Sequence, residues 1–170
     1  MVNKNPLLTS WNTPYKIAPF DEILDDHFSE AVERAMEYEL QEIQEISENS
    51  DPPTFENTIH ALLNSGNLLE RVLSVFYTLV SADSNTQREK LMTEFSPKLS
   101  SHSSKITSNE KLFNRIQELF EQIDSLNLLP EEQRLLEKIH QDYVRAGAAL
   151  NDQSKERIND IKKHLSILGT

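Results

Sequence analysis

Residues 130–150 read PEEQRLLEKIHQDYVRAGAAL, and their spacing decides the fold. Leu136, Ile139, Tyr143, Ala146 and Leu150 step by three and four, the interval that keeps side chains on one face of an α-helix. Pro130 suits the first helical position, where the amide it lacks would have no partner, and Glu131 and Glu132 follow where the helix dipole favours acids. The same rhythm continues downstream in Ile158, Ile161, Leu165 and Leu168, with Asn151-Asp152 as a short break. Upstream it appears in Leu112, Phe113, Ile116, Leu119, Phe120 and Ile123, behind a cap at Ser108 or Asn109.

Working further outward, a first helix starts at Asp25 or Asp26. It carries Phe28, Ala31, Ala35 and Tyr38 beside Val32, Met36, Leu40 and Ile43, and it stops near Ser47-Glu48-Asn49. Thr54 caps a short second helix over residues 55–65, and Gly66 stands where a left-handed residue is wanted. A third helix over residues 67–82 is apolar almost all round and is expected to be the most buried. A fourth, over residues 86–106, contains Pro97, which should kink or divide it. No run alternates with strand period. The expected fold is all-α, an antiparallel helical bundle of about seven helices.

Residues 1–24 differ. Pro6, Pro14 and Pro19 oppose helix, while Trp11, Tyr15, Ile17, Phe20, Ile23 and Leu24 are too apolar for a solvated tail. The expectation is an extended N-terminal strap over 1–24 with Trp11, Tyr15 and Phe20 buried, followed by a helical region over 25–170.

The composition excludes several functions. The 170 residues carry 17 Lys and Arg against 28 Asp and Glu, a formal charge of −11, which repels nucleic acid and anionic membranes. With no Cys there is no disulfide, thiolate metal site or Cys nucleophile, and 3 Gly are too few for a Gly-rich phosphate loop. No stretch reaches the roughly 18 apolar residues of a membrane span, and residues 1–8 show no signal-peptide run, so a cytoplasmic location is expected.

The five histidines are His27, His60, His102, His140 and His164. None belongs to an H-E-x-x-H, which sets two imidazoles on one helical face with a Glu as base. Glu137 and His140 form a single E-x-x-H, where a di-iron bundle needs two and two further glutamates. The plain reading of His140 is a partly exposed helix residue. His60 with Glu56, and His164 with Asp160, fit local i,i+4 pairs. His27 belongs to a helix start. His102, within the hydroxyl-rich residues 100–104, reads as a solvent face. Glu42, Glu45 and Glu48 read the same way and lack the spacing of a calcium loop. No residue is assigned a catalytic, cofactor-binding or metal-binding role.

Several stretches nonetheless resemble a known family. They are Asn5-Pro6-Leu7-Leu8, Thr13-Pro14-Tyr15, Pro19-Phe20-Asp21-Glu22-Ile23 and, most strongly, Phe55-Glu56-Asn57-Thr58-Ile59 with Ala61-Leu62, Ser65-Gly66, Leu69, Arg71-Val72 and Ser74-Val75-Phe76. Arg134-Leu135-Leu136 and Val144-Arg145-Ala146-Gly147-Ala148 complete the set. In order and spacing they resemble the N-terminal region of the thimet-oligopeptidase-like zinc metallopeptidases, above all their bacterial peptidyl-dipeptidase branch. The resemblance implies a larger, nearly all-helical enzyme whose zinc sits on an H-E-x-x-H and a downstream glutamate. It implies a channel that admits short peptides and releases dipeptides from their C-termini. No catalytic residue carries over, because this chain lacks the motif. The implied role is that of a truncated N-terminal portion, inactive alone and without zinc of its own, that helps wall the channel. Its partners would be the catalytic half of the same polypeptide and, for the isolated piece, a second copy. The competing reading is a free-standing helical protein-interaction module.

Overall fold

A computed structural model describes residues 5–168, apart from the side chains of Asp152 and Ser166. Every regular element among them is helical. Six α-helices run His27–Ser47 (α1), Asn67–Ala82 (α3), Thr86–Thr107 (α4), Glu110–Glu121 (α5), Pro130–Ala146 (α6) and Asp152–Leu168 (α7), and a three-residue helix, Ala61–Leu63 (α2), extends a π-helical turn at Phe55–His60. These residues form two compact units: Met1–Leu40 with Gly66–Phe95, and Gln41–Ser65 with Ser96–Thr170.

The first unit is built on aromatic packing. Phe28 of α1, Phe76 of α3 and Phe95 of α4 are fully buried, and their rings meet edge to face at 5.1 and 5.2 Å between centroids. Such contacts add about 0.5–1.5 kcal/mol each beyond the area they bury. Ala31, Val32, Ala35, Leu69, Val72 and Val75 are buried in the same unit. Gly66 enters α3 in the left-handed conformation expected of it, φ 73°. At the start of α1, Asp25 accepts hydrogen bonds from Arg88 Nε at 2.6 Å and Asn85 Nδ2 at 2.8 Å. Burial pushes the Asp25 carboxyl up, but these bonds and the Arg88 charge outweigh it and hold the group below its ordinary value.

The N-terminal segment is less extended than expected and is anchored by different residues. Single 3₁₀ turns occupy Pro6–Leu8 and Pro14–Lys16. Leu7 is fully buried, and Asn5 donates to His27 O at 2.9 Å. Tyr15, expected inside, is 95% exposed, and Phe20 is also exposed. Left-handed backbone at Tyr15 and Lys16, φ 57° and 55°, turns the chain outward just after Pro14.

In the second unit the core comprises Ile43, Ile46, Ile59, Leu112, Phe113, Ile116, Leu119, Leu136, Tyr143 and Ala148, with α5 and α6 packed together. Helix α5 places five of its twelve residues inside, more than the longer α3, so the expectation that α3 is the most buried is corrected. The difference is that α3 turns Ser74, Tyr77 and Thr78 to solvent. Asn109 caps α5 by accepting from Leu112 N at 3.0 Å, and Pro130 opens α6, both as the sequence suggests. Pro97 is accommodated inside α4 without dividing it. Helix α6 ends earlier than its periodicity implied. Gly147, φ 98°, lets the amides of Gly147 and Ala148 turn back onto the carbonyls of Val144 and Tyr143, each at 3.0 Å. Gly169 and Thr170 lie outside the described residues, as do the first four residues of the N-terminal segment.

Candidate functional site

Residues 55–59, which open the stretch that carries the resemblance most strongly, fold with the capping Thr54 around one buried cation. Thr54 and Asn57 form a reciprocal cap: Thr54 Oγ1 accepts from Asn57 N at 3.0 Å, and Asn57 Oδ1 accepts from Thr54 N at 2.8 Å. Asn57 Nδ2 donates to Pro52 O at 3.0 Å. Onto this turn α5 projects Arg115, only 8% exposed. Its Nη1 donates to Asn49 O at 2.9 Å and Asp51 O at 3.0 Å. Its Nη2 reaches Asn57 Oδ1 at 2.9 Å and its Nε reaches Thr58 Oγ1 at 3.3 Å. All four acceptors are neutral, so the guanidinium works as a fork that fixes backbone rather than as half of an ion pair. Sequence reasoning passed over Arg115. The signal was present: it lies three residues after Leu112 and four before Leu119, on the apolar face.

A groove of about 670 Å³ lies between α5 and α6, lined by Phe120, Ile123, Glu137, His140, Val144 and Arg145 among others. The His140 ring stacks flat on Phe120, with centroids 3.9 Å apart, and His140 Nε2 lies 2.6 Å from Gln117 Oε1. Burial lowers the His140 pKa against the opposing pull of Glu121, which favours the neutral ring. Glu137 does not join His140 but pairs with Arg134 at 2.9 Å.

A second groove, of about 480 Å³, lies in the first unit between the N-terminal segment and α3, lined by Trp11, Ile17, Phe20, Glu70, Arg71 and Ser74 among others. The Arg71 guanidinium sits over the Trp11 ring at 4.8 Å, and its Nη2 donates to Leu7 O at 2.9 Å. Arg71 Nε is buried without a hydrogen-bond partner.

The remaining histidines stand apart. His60 pairs with Glu56 at 2.7 Å as expected. His164 Nδ1 approaches the main-chain oxygen of Asp160, not its carboxylate, at 2.7 Å. His27 Nδ1 accepts from Leu24 N at 3.1 Å at the start of α1. His102 is 6% exposed and Ser104 is equally buried, which corrects the solvent-face reading of residues 100–104. Histidine and serine are both small enough to be taken into a helical interface, and polarity alone misjudged them. No group of three or more His, Asp or Glu able to hold a metal occurs among the described residues. No helix among them is long and apolar enough to cross a membrane.

Comparison with known proteins gives a consistent result. The chain is 36% identical to the dipeptidyl carboxypeptidase of Escherichia coli (strain K12) over 168 residues, which is 99% of this chain and 25% of that protein. It is 38% identical to the dipeptidyl carboxypeptidase of Salmonella typhimurium over 157 residues, 92% of this chain and 23% of the relative. It is 25% identical to oligopeptidase A of Escherichia coli over 165 residues, 97% of this chain and 24% of the relative. The chain thus spans about a quarter of the length of the curated relatives it matches. No family model matches it.

Proposed function

We propose, from homology that runs almost the whole chain to a quarter-length portion of the dipeptidyl carboxypeptidases, that these residues are the N-terminal helical portion of a zinc-dependent peptidyl-dipeptidase. On this reading the portion helps wall the channel in which short peptides lose C-terminal dipeptides. The zinc and its water-activating glutamate belong to another part of the polypeptide, because the histidines here are dispersed and the H-E-x-x-H is absent. Arg115 and the 54–59 turn then hold a scaffold position. They shape a helical wall and touch no reacting atom.

The observation that carries the reading is the alignment itself, which keeps its identity over 99% of the chain. The test is the reading frame around these 170 residues. An H-E-x-x-H in the same frame supports the proposal. A frame closed on both sides without one refutes it and favours the free-standing interaction module. Assayed alone, the chain should release no dipeptide and retain no zinc after dialysis. One tightly held zinc per chain would contradict the assignment of metal chemistry to another part.

A further inference from the structure

We propose that the groove between the N-terminal segment and α3 binds a small zwitterion with an apolar side chain, a free amino acid or dipeptide. The inference stands on the groove alone and does not use the peptidase reading.

The groove combines three features that suit such a ligand. First, half of its lining is apolar, Trp11, Ile17, Ala18, Phe20 and Val75, and of these Ile17 and Phe20 are exposed. At about 480 Å³ it falls in the size range of small-molecule sites. Second, Arg71 is under-used. A guanidinium has five N–H donors, and within the described residues this one makes a single hydrogen bond, to Leu7 O. Its Nε is enclosed and unpartnered, a costly state for a buried donor. The Trp11 ring holds the planar group in place, so the Nη donors not used by Leu7 O are held ready for a carboxylate. Third, Glu70 lines the same groove and makes no ion pair among the described residues. A lone anionic ligand would be repelled there. A molecule with a carboxylate at one end and an ammonium at the other satisfies both Arg71 and Glu70, while its side chain covers the aromatic wall.

Trp11 is the sole tryptophan, so its emission reports this groove without labelling. The intact chain is titrated with Ala-Phe, phenylalanine, N-acetyl-phenylalanine and Ala-Phe amide, following Trp11 emission and the backbone amide shifts of residues 67–78. Ala-Phe or phenylalanine should give a saturable response below about 10 mM, a modest affinity for a ligand of this size. Tighter binding of Ala-Phe assigns the groove to dipeptides, and equal or tighter binding of phenylalanine assigns it to free amino acids. The amide, which lacks the carboxylate, should bind about tenfold more weakly or worse. Glu70→Gln should weaken Ala-Phe but not N-acetyl-phenylalanine, which has no ammonium to lose a partner and is freed from the repulsion of the carboxylate. Ser74→Leu fills the groove, leaves the Arg71 contacts to Leu7 and Trp11 in place, and should abolish the response in a chain whose circular dichroism is unaltered. No saturable response from the wild-type chain overturns the proposal. So does an amide that binds as well as the acid, or a folded Ser74→Leu chain that binds normally.

Discussion

Replacing Arg115 with Met tests whether the fork fixes the 54–59 turn. Methionine keeps the apolar stem but has no donors and three fewer heavy atoms, so the loss is that of the hydrogen bonds together with a small void where the guanidinium lay. Four hydrogen bonds disappear, to Asn49 O, Asp51 O, Asn57 Oδ1 and Thr58 Oγ1. Taken singly, a bond to a charged group contributes about 1.5–3 kcal/mol, so the gross loss is large. Two effects offset it. The substitution also removes the desolvation penalty of a buried guanidinium, several kcal/mol. Asn57 Oδ1 keeps its bonds from Thr54 N and Thr58 Oγ1, at 2.8 and 2.9 Å, and Asp51 can turn to water. The net expectation is a destabilisation of about 2–4 kcal/mol, read by urea unfolding followed by circular dichroism. Arg115→Lys should lose most of that amount too, since a single ammonium cannot bridge four acceptors. A double-mutant cycle with Asn57→Ala should show a coupling of about 1 kcal/mol or more. A fall below about 0.5 kcal/mol for Arg115→Met, or strict additivity with Asn57→Ala, would refute the idea that Arg115 organises this turn.

Two further outcomes follow from backbone and charge. Gly66→Ala should destabilise by about 1–2 kcal/mol, because a Cβ at φ 73° is strained and would stand 2.6 Å from Glu39 Oε1; thermal unfolding checks it, and an unchanged midpoint would remove the left-handed requirement. Asp25→Asn should destabilise at neutral pH, and the gap to wild type should close on acidification. Asp25 has its folded pKa lowered, so its contribution is complete above the ordinary carboxylate value and is lost as pH falls through the lowered one; urea midpoints across that range measure the closing gap.

Helix locations were legible because period and caps agree. Asn109, Pro130 and Gly66 act where they were expected to act, and four of the five buried residues of α5, Leu112, Phe113, Ile116 and Leu119, belong to its apolar stripe. What the sequence hid was which polar residues go inside. Arg115 and His102 are both buried, and the arginine's acceptors come from more than fifty positions away, a distance that no local pattern encodes. The grooves were hidden for the same reason. Trp11 and Arg71 meet only because the N-terminal segment returns onto α3. Gly147 was visible but misjudged: the three-four rhythm runs on to Leu150, while the backbone turns at the glycine.

Helix α7 shows most clearly that periodicity identifies an apolar stripe without identifying what covers it. Ile158, Ile161, Leu165 and Leu168 share one face, and the simplest expectation is that this face meets the rest of the second unit. In the structure Ile158 is half-buried beside Gly147, but Leu165 is 61% exposed and Leu168 is 82% exposed. The helix is held instead through polar neighbours: Lys162 Nζ donates to Ala146 O at 3.0 Å, and Asn159 Nδ2 to Ser108 Oγ at 3.3 Å. Exposed leucines at helical spacing on one side constitute an apolar patch of the kind that marks an interaction surface. The isolated chain should therefore bind a hydrophobic dye while folded, and it should self-associate once salt screens its charge of −11. Changing Ile161 and Leu165 to Gln together separates the two possible roles of the stripe. If the side chains face solvent, the fold loses about 0.5 kcal/mol or less per site, while dye binding and association fall. If they belong to the core, each change costs about 2–5 kcal/mol. Ultracentrifugation at low and high salt, with urea midpoints on the same variant, measures both. A large stability loss, or a wild-type chain that is monomeric and dye-silent throughout, would show that this face is already satisfied within the 170 residues.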